Sequence, residues 1–122
     1  MQGRRTGWTA TLPGLLAVLA ALVLSAQPAV AQDGPVLFVG SSIFHRWTNL
    51  TAQMAPLPVV NRAVDGLITS DVLAMVDRAV LPLHPRVVVY YCGSNDVDAG
   101  DSAEAIVARI RRFVDRVLEA SP

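Results

Sequence analysis

Apolar positions fall into one long block and several short ones. Leu12 to Leu24 is almost wholly apolar. Beyond it, Pro35–Val39 is a short continuous apolar run ending at Gly40, and Arg86–Cys92 is another ending at Gly93. Neither alternates, and both are rich in β-branched and aromatic residues. They are predicted as strands buried on both faces. Leu57–Val60, ending at Asn61, is a third and weaker strand, and Pro58 suits an edge or a strand start. Val72, Val76 and Ala79 recur at helical spacing, with Ser70 as candidate N-cap and Pro82 as the stop. Ile106, Ile110, Phe113, Val114, Val117 and Leu118 predict the strongest helix. Asp101 and Glu104 resemble its capping box, and Arg109, Arg111, Arg112, Asp115 and Arg116 its solvated face. Ile43 to Met54 reads as a short helix and loop. Strands alternating with helical segments predict an α/β domain with a parallel sheet.

At 122 residues the chain has room for one domain. Its 52% apolar content is raised mainly by the Leu12–Leu24 block. Arg4 and Arg5 precede that block, and Ala29-Val30-Ala31 follows it as a small-residue cleavage site. This is the layout of a secretory signal peptide over residues 1–31, with cleavage after Ala31. The apolar run is shorter than the ~20 residues a membrane span needs. The expected location is therefore secreted or periplasmic, with residues 32–122 as the domain and no stable span after cleavage. Ten basic residues, all Arg, balance ten acids. No basic stripe is supplied, so no nucleic-acid partner is expected. A single Cys excludes an internal disulfide and any multi-cysteine metal site.

The candidate chemistry lies where the strands end. Gly40-Ser41-Ser42 follows the first strand, Asn61 to Gly66 the second, and Gly93-Ser94-Asn95-Asp96 the third. Gly, Ser and Asn are ordinary loop residues, and any one of these turns could be just a turn. In open parallel sheets, however, ligands bind beyond the carboxyl ends of the strands, where all three turns fall.

Together the three turns resemble the first three motif blocks of the SGNH hydrolases, the GDSL lipase/esterase family. Gly40-Ser41-Ser42 is similar to that family's Gly-Asp-Ser, with Ser41 in place of Asp. Asn61 to Gly66 resembles its second block, and Gly93-Ser94-Asn95-Asp96 its Gly-x-Asn-Asp. The resemblance implies a three-layer, flavodoxin-like parallel sheet with helices on both faces. It implies Ser42 as nucleophile, with the Ser42 and Gly66 backbone N–H groups and the Asn95 side chain as oxyanion hole. It also implies attack on a small-molecule, lipid or carbohydrate ester, by hydrolysis or acyl transfer, with no cofactor and no metal.

The residue types suit those roles. A nucleophilic hydroxyl must be displayed at a turn. Glycine lets backbone approach closely. An amide donates at every pH to a developing negative charge. Ser41 is the competing nucleophile, disfavoured by motif register. The family's late Asp-x-x-His block, which supplies the base, has no counterpart in this sequence. His45 is too near Ser42 in sequence, and His84 lies at a helix-to-strand turn. The chain ends just past a helix where the pattern calls for a fourth strand. It therefore reads as C-terminally incomplete and is expected to be inactive as it stands. Two alternatives are a non-catalytic secreted α/β module and a flavodoxin-like ligand binder. The binder should carry a phosphate cradle in the first loop, which has one Gly. Cys92, Trp47, Tyr90 and Tyr91 read as packing residues, and Asp96 as a residue that orients its loop. Oligomeric state is not legible.

Overall fold

A computed structural model describes residues 33–121. The reading of residues 1–31 as a signal peptide falls outside them.

Three parallel strands form one sheet: Val36–Gly40 (β1), Val59–Asn61 (β2) and Val87–Tyr91 (β3), in the order β2-β1-β3. Val36 sits opposite Val59 on one side and Val87 on the other. β1 is buried along its whole length because it has a strand on each edge and helices on each face. Its side chains alternate between two cores. Val36 and Phe38 pack with Leu50, Phe44, Trp47 and Met54. Leu37 and Val39 pack with Val72, Val76, Val80 and Phe113. The first core is covered by the short helices Ser42–His45 (α1) and Leu50–Met54 (α2). The second is covered by Thr69–Ala74 (α3), its continuation, and the long helix Ala103–Ala120 (α5). Ser94–Asp98 (α4) follows β3. The expected three-layer α/β architecture is present.

Several local expectations are corrected. Ser70 does not cap its helix. α3 starts at Thr69 with Ile68 at the N-cap, and Asp71 accepts the Ile68 N–H at 3.1 Å. The α-helix ends at Ala74, widens to a π-helical turn over Val76–Val80 and tightens to a 3₁₀ turn over Leu81–Leu83. Pro82 lies within that last turn, near its start, where a missing N–H costs nothing. The cap of α5 is Ser102, which accepts the Ala105 N–H at 3.2 Å, because Asp101 is drawn into an ion pair with Arg109.

The apolar run of β3 predicts burial on both faces. It is half-buried, with Val87 48% exposed, and among the described residues its only strand partner is β1. Val114 and Leu118, part of the apolar pattern that predicts this helix, are exposed for the same reason. They line an apolar groove of about 400 Å³ with Val88, Tyr90, Phe113 and Val117, between the outer edge of β3 and α5. No described helix is long and apolar enough to cross a membrane.

Candidate active site

All three polar turns lie at the carboxyl ends of parallel strands, and hydrogen bonds stitch them together. The Ser41 N–H donates to Tyr91 O at 3.0 Å, which ties the first turn to the end of β3. The Arg62 and Val64 N–H groups donate to Phe38 O and Gly40 O at 2.8 and 3.1 Å, which ties the second turn to β1. Asn95 Nδ2 donates to Leu67 O at 2.8 Å, joining the third turn to the second.

The two adjacent serines have different surroundings. Ser41 is fully buried and its hydroxyl has no hydrogen-bond partner. Ser42 is half-buried and opens α1. The alternation of side chains around a tight turn sends one hydroxyl inward and leaves the next accessible. The turn depends on Gly40, whose φ of +139° lies outside the range that side-chain-bearing residues normally adopt.

Three side-chain contacts fix the second turn against α1. Asn61 Nδ2 donates to Phe44 O at 2.7 Å, while its Oδ1 accepts the Ala63 N–H at 3.0 Å. His45 Nδ1 lies 3.2 Å from Ala63 O. Arg46 pairs with Asp65 at 2.8 Å, both largely exposed, so this pair adds little stability. His45 thus spends a ring nitrogen on the neighbouring loop. Gly66 has φ +80°, and a Cβ there would meet nothing within 4 Å. Its backbone conformation, not crowding, is what calls for glycine.

Asn95 uses one of its two amide hydrogens on Leu67 and keeps the other available. The neighbouring Asp96 is fully buried and is held by a network that sequence reading missed. Its carboxylate accepts the Thr69 N–H on both oxygens, at 2.9 and 3.0 Å, and the Thr69 hydroxyl as well. Arg109 Nη1 lies 3.2 Å from it and also binds Asp101. Arg109 therefore does not belong to a solvated face. The sequence held only a hint, one Arg near the start of a helix that follows two Asp-bearing turns. Arg116 does lie on the open face, paired with Asp77 at 2.7 Å.

Packing roles fall as expected. Trp47 meets the Phe38 ring edge-on at 6.0 Å. Tyr90 packs on Phe113 and Tyr91 on Phe44, on opposite faces of β3. His84 is exposed in a left-handed conformation at the turn into β3. Among the described residues no group of three or more His, Cys, Asp or Glu side chains could hold a metal ion.

Cys92 is half-buried, and its thiol donates to Leu67 O at 3.3 Å. Burial, and secondarily the charge of Asp96, push its pKa from 9.0 to about 11. The thiol therefore stays protonated near neutrality. It should alkylate much more slowly with iodoacetamide at pH 8 than it does in denaturant, and the gap should close towards pH 11. The linked stability has a definite sign. It is intact below the ordinary thiol pKa and is lost as pH rises towards the folded value. Cys92→Ala should flatten part of the alkaline decline in a urea unfolding series. Equal alkylation rates in native and denatured protein would refute the burial argument.

The fold has counterparts among known proteins. The GDSL-like lipase from Bacteroides thetaiotaomicron is similar at 20% identity with a TM-score of 0.64, over 87% of this chain and 53% of that one. A candidate acylhydrolase from Bacteroides fragilis is similar at 18% identity with a TM-score of 0.68, over 92% and 56%. A candidate platelet activating factor from Streptococcus pneumonia is similar at 17% identity with a TM-score of 0.63, over 85% and 54%. At these identities the likeness is one of fold. The chain spans about half the length of these solved structures. Among curated proteins none matches significantly. The sequence profile of one family covers residues 32–122, the stretch that contains all three strand-end turns. With that match and that fold, the chain belongs to the GDSL-like lipase/acylhydrolase family.

Proposed function

We propose that residues 32–122 carry the nucleophile and the oxyanion donors of a serine acylhydrolase acting on ester bonds. This reading is supported by one observation: the turns that hold Ser42, Gly66 and Asn95 follow the carboxyl ends of three parallel strands and bond to one another. Ser42 Oγ attacks the ester carbonyl. The Ser42 and Gly66 backbone N–H groups and the free Asn95 amide hydrogen meet the oxyanion, an acyl-serine forms as the alcohol leaves, and water releases the acid. Burial of Ser41 supports assigning the attack to Ser42.

Serine needs a base to take its proton. Neither histidine suits: His45 is bonded to the second turn, and His84 lies at the start of β3, the opposite end of the sheet from Ser42. The chain by itself should therefore turn over p-nitrophenyl acetate no faster than background. An external base should partly replace the missing one. In imidazole, p-nitrophenyl acetate should leave an acetyl group on Ser42, detected by peptide mass spectrometry and absent in Ser42→Ala. An acetyl group found on Ser41 instead, or none on either serine, would overturn the assignment.

A further inference from the structure

We propose that Arg109 is a positioning residue for the oxyanion donors, acting through Asp96 to hold Asn95 and the Gly66 turn in register with Ser42. This rests on the acyl-transfer reading above.

Asn95 and Asp96 are neighbours on α4, and Gly66 and Leu67 lead directly into Thr69 at the start of α3. Two adjacent residues of α4 thus grip one short segment. Asn95 holds the Leu67 carbonyl, and Asp96 holds the Thr69 N–H and hydroxyl. The second grip suits a carboxyl group, which offers two acceptor oxygens side by side. Asp96 has no solvent exposure, so its charge must be met inside the protein. Arg109 Nη1 supplies the cation at 3.2 Å and lies 3.4 Å from the Thr69 hydroxyl. It touches both halves of the grip. Asp101, in the turn leading to α5, binds the same nitrogen and fixes where it points. The long helix, anchored in the core by Phe113, thereby sets the relative position of two turns that carry oxyanion donors.

A purely structural ion pair would change stability and leave chemistry in the folded molecule untouched. A positioning role predicts a change in rate without a change in binding. The test uses the full chain in imidazole with p-nitrophenyl acetate, resolving the maximal rate of Ser42 acetylation and the half-saturating ester concentration. Hydrogen exchange is read in peptides covering residues 64–69 and 94–98. Arg109→Met should lower the maximal rate about 10- to 100-fold, as small misplacements of catalytic groups do. It should leave half-saturation unchanged and speed exchange in both peptides but not in β1. Arg109→Lys, which restores a cation beside Asp96, should recover most of the rate. Arg116→Met, which breaks the exposed pair on the same helix, should behave as wild type. Arg109→Met acetylating at the wild-type rate, with unchanged exchange in the two peptides, would overturn the proposal. Should Arg109→Met fail to fold, Asp101→Asn loosens the outer anchor while leaving Asp96 its cation. It must then show the same changes in smaller measure, and wild-type behaviour there overturns the proposal equally. If the wild-type chain is not acetylated at Ser42, the acyl-transfer reading fails. The exchange measurements then still decide whether Arg109 holds the two segments together.

Discussion

Gly40→Ala should abolish cooperative folding. An added Cβ would sit 1.8 Å from the Tyr91 carbonyl oxygen, a backbone atom in the middle of the fold that no side-chain rotation can move. The φ of +139° adds strain of about 1–3 kcal/mol for any residue with a side chain. Relieving the clash means parting β1 from β3 at their carboxyl ends. That breaks the bond from the Ser41 N–H to Tyr91 O and loosens the register pairing Gly40 with Tyr91. Each lost buried bond costs about 1 kcal/mol or more. A domain of this size holds only about 5–15 kcal/mol in total. Far-UV circular dichroism through a urea titration reads the outcome. A wild-type midpoint in Gly40→Ala would show that the turn has slack that its geometry does not suggest.

Asn95→Ala should lower the rate of Ser42 acetylation about 10²–10³-fold in imidazole, the loss typical of removing one oxyanion donor. The stability cost should be far smaller, about 1 kcal/mol for the lost bond to Leu67 O. Asn95→Asp separates the two effects. It preserves the shape of the side chain but removes the donor and places negative charge where more develops. It should be at least as slow as the alanine variant. The measurement is acetyl-Ser42 formation over time by mass spectrometry, with the unfolding midpoint recorded in parallel. An Asn95→Ala protein that acetylates Ser42 at the wild-type rate would remove Asn95 from the site.

Much of the candidate site is legible because its turns are written locally. Gly40, Gly66 and Gly93 each lie at a positive φ: Gly40 ends β1, Gly66 closes the turn that follows β2, and Gly93 opens the turn that follows β3. Such turns need glycine wherever they occur, so the pattern survives without knowledge of the packing. Strand positions were legible for a similar reason. A strand covered on both faces, as β1 is, must be apolar at consecutive positions. Helix boundaries were less so. Ser70 and Asp101 are reasonable caps by type, yet the caps are Ile68 and Ser102, because Thr69 and Asp101 have partners elsewhere in the fold.

The class of fold, the parallel strands where consecutive apolar residues run, and the three turns that carry Ser42, Gly66 and Asn95 can all be read from local patterns in the chain. These follow from backbone sterics and from burial over a few neighbouring residues. Which charges are buried and which serine is accessible depends on how the helices pack on the sheet. Arg109 reads as one of several arginines on a helix surface until α5 packs against the sheet and brings it to Asp96, 13 residues away in the chain. Ser41 and Ser42 are the same chemistry one residue apart, and the fold buries the first completely and leaves the second half open. Pairing of charges and access to solvent are properties of segments distant in sequence, so no local pattern encodes them.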